Sequence, residues 1–185
     1  MKIIAISTSP RPISNSRHAL NQAIKYLYNM GVETELYDFN KFNIEPCHGC
    51  DYCKMNDKQE CSIKDDMQEI YESLKTADGF ILASPIYMGQ LTAQAKMFLD
   101  RLYAYFMSDW TEKYGRKKVA VLVSQGQPDE DLYRTNIETY RFNFEEILNF
   151  EFIGYTVLTR NNIAGSIIEK PQQIEQAIDL VKLFL

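Results

Sequence analysis

The segment KIIAISTSPRPISNSRHALNQAIKYLYNM, residues 2–30, predicts a strand, a loop and a helix in succession. Residues 2–7 are a short run rich in isoleucine, which is typical of a buried strand. After a polar loop, Leu20, Ile24 and Leu27 fall on one face of a helix. This opening segment therefore indicates a protein of the α/β class.

The same alternation of strands and helices continues through the rest of the chain. Strands that alternate with helices form a parallel sheet with right-handed crossovers and helices on both faces. We therefore expect a doubly wound sheet of five parallel strands, in one domain over residues 1–185. The further strands are predicted at 33–39, 79–85, 117–124 and 150–158, and the further helices at 65–77, 91–106, 132–148 and 172–185.

Composition and charge limit the classes of partner. Of the 185 residues, 45% are hydrophobic and 12% aromatic, as in an ordinary globular protein. The net charge of -5 leaves no basic excess to neutralise a phosphate backbone, so we expect no nucleic-acid partner. No apolar run approaches the roughly 20 residues that a membrane span needs, and the amino terminus does not resemble a signal peptide. We therefore expect a soluble, cytoplasmic protein.

The loop after the first strand, STSPRPISNS at 7–16, predicts an anion site without glycine. Backbone N–H groups and the helix dipole favour an anion at this position, and the G-x-G-x-x-G dinucleotide motif is absent. Hydroxyls and one guanidinium suit a compact terminal phosphate. The alternatives are a simple helix cap with a solvated Arg11, or a dinucleotide site with Asp38 as its ribose-binding acid. The candidate phosphate ligands are Ser9, Arg11, Ser14, Asn15 and Ser16, with Ser7 and Thr8 beside them.

The loop after the third strand predicts a platform for a planar ring. Pro85 fixes its own backbone, and Gly89 permits conformations closed to other residues. In a doubly wound sheet this loop lies beside the first one. Backbone groups of Ile86 to Gly89 are expected to bond a heterocycle covered by Tyr87 and Met88, unless the segment is a plain turn with Tyr87 in the core. Further ring contacts are expected after the fourth strand, from Ser124, Gln125 and Gly126.

All four cysteines lie in the segment CHGCDYCKMNDKQEC, residues 47–61. Their spacing is C-x2-C-x2-C-x7-C, and the first three resemble the triplet of bacterial ferredoxin-type iron-sulfur sites. Thiols in a reducing compartment favour metal or redox chemistry over disulfides. Zinc and free thiols are the alternatives, and His48 is a further candidate ligand. The candidate metal ligands are Cys47, Cys50, Cys53 and Cys61.

Three segments together resemble the iron-sulfur flavoproteins within the NAD(P)H-dependent FMN reductase family of flavodoxin-like proteins. They are SPRPISNS, CHGCDYCKMNDKQECSIKDDM and SPIYMGQLTAQAKMFLDR. The resemblance implies a strand order of 2-1-3-4-5 and a cysteine-rich insertion at about 44–64. It implies FMN, with its phosphate on the candidate ligands of the first loop and its ring on Pro85 to Gly89. It also implies a [4Fe-4S] cluster on the four cysteines.

The resemblance carries functional expectations as well. It implies an oxidoreductase that passes electrons between FMN and the cluster, takes electrons from NAD(P)H, and assembles into homodimers or homotetramers. Lys96, Asp100 and Arg101 match the family's helix pattern, as anchoring or catalytic residues. Many relatives have an aromatic residue in place of Met88 and a Thr-Gly-Gly-like turn in place of residues 124–126, which predicts looser flavin binding here. A cluster-free flavin or quinone reductase, an electron carrier that docks a ferredoxin, and a protein without cofactor are the alternatives.

Overall fold

A six-stranded sheet lies at the centre of the fold, in a computed structural model that describes residues 1–55 and 60–185. Its strands are β1 (Lys2–Ser7), β2 (Glu33–Asp38), β3 (Gly79–Tyr87), β4 (Gln90–Leu91), β5 (Lys118–Ser124) and β6 (Glu151–Leu158). Five run parallel in the order β2-β1-β3-β5-β6, and β4 pairs antiparallel with the end of β3. The predicted sheet and its order are confirmed, because the short β4 only changes the numbering of the last two strands.

Helices cover both faces of this sheet. The described residues form α1 (Asn15–Asn29), α2 (Tyr52–Met55), α3 (Met67–Thr76), α4 (Ala93–Arg101), α5 (Trp110–Tyr114), α6 (Arg134–Phe142) and α7 (Pro171–Lys182). Helices α1 and α7 pack on one face, while α3, α4 and α6 pack on the other. None of these helices, within residues 1–55 and 60–185, is both long and apolar enough to cross a membrane.

Two predicted helices are shorter than their periodicity indicates. The helix expected at 91–106 ends as α4 and continues as a 3-10 turn over Leu102–Tyr105. The helix expected at 132–148 ends as α6 and continues as a π-turn over Asn143–Ile147. The Asn143 side chain donates to the carbonyl of Thr139 at 2.7 Å, beside this change of hydrogen-bonding pattern. Apolar periodicity persists through both turns, so sequence alone assigned them to the helices.

The sheet carries an apolar core on each face, because alternate residues of β1 point in opposite directions. Ile4 and Ile6 belong to the core under α3, α4 and α6, while Ile3 and Ala5 belong to the core under α1 and α7. At the centre of the first core the ring of Phe80 makes edge contacts with three other rings. Its centroid lies 5.7, 5.5 and 6.0 Å from those of Phe98, Phe144 and Phe150.

Hydrogen bonds hold the carboxyl ends of β1 and β3 side by side. The backbone N–H and side-chain hydroxyl of Thr8 both donate to the carbonyl of Ala83, at 2.9 and 3.0 Å. Thr92, the N-cap of α4, donates to the carbonyl of Thr8 at 2.8 Å. All three residues are buried. The loops that follow β1 and β3 therefore start from fixed, adjacent positions.

Candidate functional site

A cavity of about 420 Å³ lies at the carboxyl edge of the sheet, among the loops that follow β1, β3, β5 and β6. Its volume falls in the range of small-molecule sites. Every predicted FMN-binding residue lines it except Gly89, whose carbonyl accepts a hydrogen bond from the Asn136 side chain. The lining consists of Ser9, Arg11, Ser14, Asn15, Ser16, Pro85, Ile86, Tyr87, Met88, Ser124, Gln125, Gly126, Asn161 and Asn162.

Hydroxyl groups and one guanidinium form the α1 end of the cavity. Ser14 caps α1 by accepting from the backbone N–H of Arg17 at 3.2 Å, and its Oγ lies 3.1 Å from Ser16 Oγ. The exposed Arg11 donates from Nη1 to the carbonyl of Asn162 at 3.2 Å, and its guanidinium lies 5.6 Å from the Tyr87 ring centroid. Hydroxyls, a cation and a helix N-terminus at one place provide the chemistry that binds a phosphate.

Asn15 connects two of the loops through its side chain. Its Nδ2 donates to the carbonyls of Asn161 and Ile163 at 3.0 and 2.8 Å, and its Oδ1 accepts from the backbone N–H of Ile167 at 3.2 Å. The amide was predicted as a phosphate ligand, but both of its ends are already engaged with residues 161–167. Asn15 therefore lines the cavity while its amide holds the β6 loop against α1.

Asp38 lies outside the cavity. Its Oδ1 accepts from Arg17 Nη1 at 3.1 Å, and both side chains are largely buried. The other end of the same guanidinium, Nη2, donates to the carbonyls of Arg11 and Pro12, the first at 2.8 Å. Asp38 is thus linked to the loop after β1 through Arg17, and it does not line the cavity as a ribose-binding acid would.

The loop after β3 is a tight hairpin. β3 was predicted to end at residue 85 but continues to Tyr87, because Ile86 and Tyr87 pair with the two residues of β4. Met88 and Gly89 form the turn with φ of 49° and 78°, and the Met88 side chain is fully exposed. Positive φ at both central positions is typical of two-residue hairpins. Tyr87 is half-buried and lines the cavity, so it is not a core residue.

The loop after β5 contributes an unused hydrogen-bonding group. Gln125 is buried, and its Nε2 donates to the carbonyl of Asp129 at 2.5 Å. Its Oε1 has no hydrogen-bond partner among the residues that the structure describes. A buried acceptor without a donor is costly, and a ligand with ring N–H groups would satisfy it. Gln125 therefore adds a buried polar residue to the lining of the cavity.

Asn161 and Asn162, which follow β6, were not predicted from the sequence. Asn161 donates from its backbone N–H to the carbonyl of Gln125 at 2.8 Å. Asn162 lies so close to Gly126 that a Cβ built at residue 126 would be 1.6 Å from Asn162 Oδ1. The only available signal was their position directly after the last strand, at the same edge of the sheet as the other loops.

All four cysteines line a second, smaller cavity. They are free thiols, with Cys47 and Cys50 exposed and Cys53 and Cys61 half-buried. Hydrogen bonding from Ser62 lowers the pKa of Cys50, while burial raises the pKa of Cys53. Four thiols around one cavity are the donor set of a thiolate-bound iron-sulfur cluster. Among the described residues, however, no three Cys, His, Asp or Glu side chains are close enough to hold a single metal ion.

One buried ion pair lies next to the cysteine cavity. Arg101, which also lines the cysteine cavity, donates from Nη1 and Nη2 to the two carboxylate oxygens of Asp65, at 2.6 and 3.0 Å. His48 also lines this cavity, but its Nε2 lies 3.3 Å from a carboxylate oxygen of Glu45 at the surface. None of Lys96, Asp100 and Arg101 lines the cavity at the carboxyl edge of the sheet. Lys96 and Asp100 form an exposed ion pair with each other.

The fold and the cavity of about 420 Å³ define a doubly wound α/β protein with a cofactor-sized site at the carboxyl edge of its sheet. The chain belongs to the NADPH-dependent FMN reductase family, whose sequence profile matches residues 1–134. The family resemblance noted from the three sequence segments is thereby confirmed.

Curated relatives carry the name iron-sulfur flavoprotein. One from Methanocaldococcus jannaschii is 44% identical over 101 residues, which are 55% of this chain and 51% of that protein. One from Archaeoglobus fulgidus is 40% identical over 121 residues, which are 65% of this chain and 60% of that protein. The chain therefore aligns with between half and three fifths of the length of these relatives.

Solved structures share the fold. An NAD(P)H:quinone oxidoreductase from Methanothermobacter marburgensis aligns with a TM-score of 0.73 and 21% identity, over 98% of this chain and 96% of that one. An FMN-dependent NADH-azoreductase from Bacillus anthracis aligns with a TM-score of 0.66 and 10% identity, over 98% and 97% of the two chains. At these identities the likeness establishes the fold alone.

Proposed function

We propose that this protein is an FMN-dependent oxidoreductase that takes electrons from NAD(P)H and passes them between FMN and a [4Fe-4S] cluster. The observation that carries the proposal is the convergence of four loops on one cavity, with hydroxyls and Arg11 at one end and the buried Gln125 in its lining. When bound, FMN supplies hydride and electron chemistry, and the cluster supplies one-electron transfer.

The phosphate of FMN fits the α1 end of the cavity. Ser9, Ser14 and Ser16 are buried there, and the N-terminus of a 15-residue helix adds partial positive charge. Arg11 adds a full charge at the rim. We assign these four residues to phosphate binding, and we assign to Asn15 the task of holding the opposite loop in place.

The flavin ring fits between the β3 hairpin and the β5 loop. Pro85, Ile86 and Tyr87 of the hairpin line the cavity, and so does Gln125 of the β5 loop. The described lining residues include no carboxylate, histidine, lysine or cysteine. The side chains therefore bind and orient the ring, exclude water from it and supply hydrogen bonds, while proton transfer by an acidic or basic side chain is not required.

The four cysteines are proposed as ligands of the cluster. Their spacing, their free thiol state and their shared cavity support this assignment. The names of the curated relatives point the same way. Small-molecule or ferredoxin-like electron partners, and assembly into homodimers or homotetramers, belong to the same proposal and rest on family resemblance.

The proposal is tested by purifying the chain without oxygen and measuring its absorption spectrum together with flavin, iron, sulfide and zinc. We expect one FMN and about four irons per chain, as a [4Fe-4S] cluster requires. A reconstituted protein that binds no FMN would refute the proposal. Replacement of all four cysteines by serine provides the matched variant, which is expected to keep its flavin and lose its iron.

A cluster-free NAD(P)H-dependent reductase is the second candidate. It is favoured by the separation of the two sites, since the flavin cavity and the cysteine cavity share no lining residue. Undiminished NAD(P)H oxidation by the cysteine-to-serine variant, with zinc or no metal in the parent protein, would support it. Negligible NAD(P)H turnover with fast reduction by a ferredoxin would instead indicate an electron carrier.

A further inference from the structure

We propose that Arg101 raises the reduction potential of the cluster held by the four cysteines, by presenting a fixed positive charge and an unused N–H donor to their cavity. This inference rests on the cluster assignment made above and extends it to a residue that is not a ligand. Arg101 is thereby assigned a tuning role, distinct from direct participation in catalysis.

The position of Arg101 is the first observation. Its side chain is fully buried, and it lines the same cavity as Cys47, Cys50, Cys53 and Cys61. It lies at the last residue of α4, where the helix changes to a 3-10 turn. No other arginine or lysine among the described residues lines this cavity.

The second observation is the unused donor. Nη1 donates to Asp65 and to the carbonyl of Glu45, at 2.6 and 2.8 Å, and Nη2 donates to Asp65 at 3.0 Å. Nε is buried and has no hydrogen-bond partner among the described residues. A buried N–H without an acceptor is uncommon and calls for an explanation. We assign its acceptor to the sulfur atoms of the cavity that Arg101 lines.

The guanidinium is also held rigidly. Asp65 Oδ2 accepts from the backbone N–H of Glu45 at 2.8 Å, so the carboxylate is itself fixed. Tyr71 donates from its hydroxyl to the carbonyl of Arg101 at 2.7 Å, and its ring centroid lies 5.9 Å from the guanidinium. A group fixed in this way keeps its charge and its donor in place when an electron arrives.

The charge of Arg101 acts on the thiol site despite the pairing with Asp65. Burial alone would lower the pKa of Arg101, but hydrogen bonding to Asp65 raises it above its ordinary value. The guanidinium therefore stays cationic, and it belongs to a residue that lines the same cavity as Cys61. Net charge and hydrogen bonds to sulfur set the potentials of iron-sulfur clusters. A cation and an N–H donor stabilise the reduced, more negative state and so raise the potential.

The experiment does not replace Arg101 alone, because this would leave the buried carboxylate of Asp65 without its partner. It compares two variants, and Asp65 is replaced in both. Asp65→Asn removes the counter-charge and keeps Arg101, while the double variant Arg101→Gln/Asp65→Asn removes both charges and the Nε–H donor. The midpoint potential of the reconstituted cluster is measured by redox titration with electron paramagnetic resonance, and iron and sulfide are counted in each sample. We expect the potential to rise in Asp65→Asn and to fall in the double variant, relative to the parent.

The expected separation between these two variants is at least tenfold in the equilibrium between oxidised and reduced cluster, which is about 59 mV for a one-electron couple. Arg141→Gln is the matched control, because Arg141 makes an exposed pair with Glu145 and does not line the cysteine cavity. It should leave the potential unchanged.

Equal potentials in iron-loaded Asp65→Asn and in the iron-loaded double variant would overturn the role of Arg101 alone, because these two proteins differ only at residue 101. If the double variant does not fold, an unchanged or lowered potential in Asp65→Asn has the same consequence. A parent protein that binds FMN but takes up no iron would instead overturn the cluster assignment, and this inference with it.

Discussion

Arg17 Nη1 lies 3.1 Å from Asp38 Oδ1, at a position where the end of β2 meets the start of α1. The same guanidinium donates from Nη2 to the carbonyls of Arg11 and Pro12. One largely buried ion pair therefore holds the backbone of the loop after β1, the proposed phosphate site, although neither partner lines the proposed flavin cavity. The loop contains no glycine, and these contacts limit the conformations that its backbone can adopt.

Arg17→Gln is expected to weaken FMN binding about tenfold, or roughly 1.4 kcal/mol, because the loop loses its hydrogen bonds to the guanidinium. The physical reason is that the loop must be ordered by the ligand once its internal contacts are gone. FMN dissociation constants from fluorescence quenching provide the measurement.

The control for this prediction is Arg116→Gln. Arg116 also donates to two backbone carbonyls, those of Asn149 and Phe150, but it lies just before β5, at the opposite edge of the sheet. The same loss of charge there should leave the FMN dissociation constant unchanged. Equal weakening by both substitutions would mean that Arg17 has no specific role at the loop.

Strands and loop positions were predictable because they depend on local patterns. β1 matches the predicted range of 2–7, and the loops after β1, β3 and β5 meet at one edge as parallel topology requires. Short elements were missed, since α2 and α5 have four and five residues and carry too little periodicity. The two-residue β4 was missed for the same reason.

Long-range side-chain contacts were beyond sequence reasoning. Asn15 bonds to a carbonyl 146 positions away, and Arg17 pairs with an acid 21 positions away. Residue type indicated a polar group at each place but not its partner. The sequence therefore predicted that Asn15 lies at the cavity, and did not predict that its amide is used to join two loops.

Gly126→Ala is expected to weaken FMN binding by displacing Asn162. The new methyl group would meet Asn162 Oδ1 at 1.6 Å, so this side chain must rotate away and give up its contact with the Gly126 carbonyl. Because Asn162 is a flexible side chain near the surface, the cost in stability should stay below about 1 kcal/mol.

A double-mutant cycle tests this explanation. In the Asn162→Ala background the obstacle is absent, so Gly126→Ala should add little further loss of FMN affinity, as measured by calorimetry. Additive losses from the two substitutions would show that Gly126 acts through something other than Asn162.

We predict that Lys117 makes the free energy of unfolding depend on pH in the alkaline range. It is buried, donates to the carbonyls of Ala77 and Tyr114, and burial lowers its pKa below the ordinary 10.5. Between the lowered pKa and 10.5, the unfolded chain binds more protons at this residue than the folded chain does. The contribution of Lys117 to the free energy of unfolding therefore rises with pH across that window.

Urea unfolding of the parent and of Lys117→Met, from pH 7 to about 10.5, provides the measurement. Burial raises the pKa of Tyr37 to about 12 and that of Tyr71 still higher. Because a raised tyrosine pKa makes the free energy of unfolding fall as pH rises, these shifts oppose the effect of Lys117 at the alkaline end of the range. Both proteins share that background, so the stability difference between them isolates Lys117. The parent should gain on the variant as pH rises, and parallel profiles would contradict the prediction.

Asn15→Ala is expected to lower the stability of the protein even without FMN. The substitution leaves the carbonyls of Asn161 and Ile163 and the N–H of Ile167 without their partner. Asn161 and Ile167 are buried, and each buried group left unpaired costs about 1–3 kcal/mol. Ser16→Ala is the matched comparison, because its hydroxyl contacts only Ser14 Oγ among the described residues. Ser16→Ala should weaken FMN binding with little effect on the flavin-free protein. Denaturant unfolding of both variants without flavin separates the two roles. Equal stabilities of the two variants would mean that Asn15 is a phosphate ligand. A loss of stability confined to Asn15→Ala means that its amide holds the loops of the site together before any ligand binds.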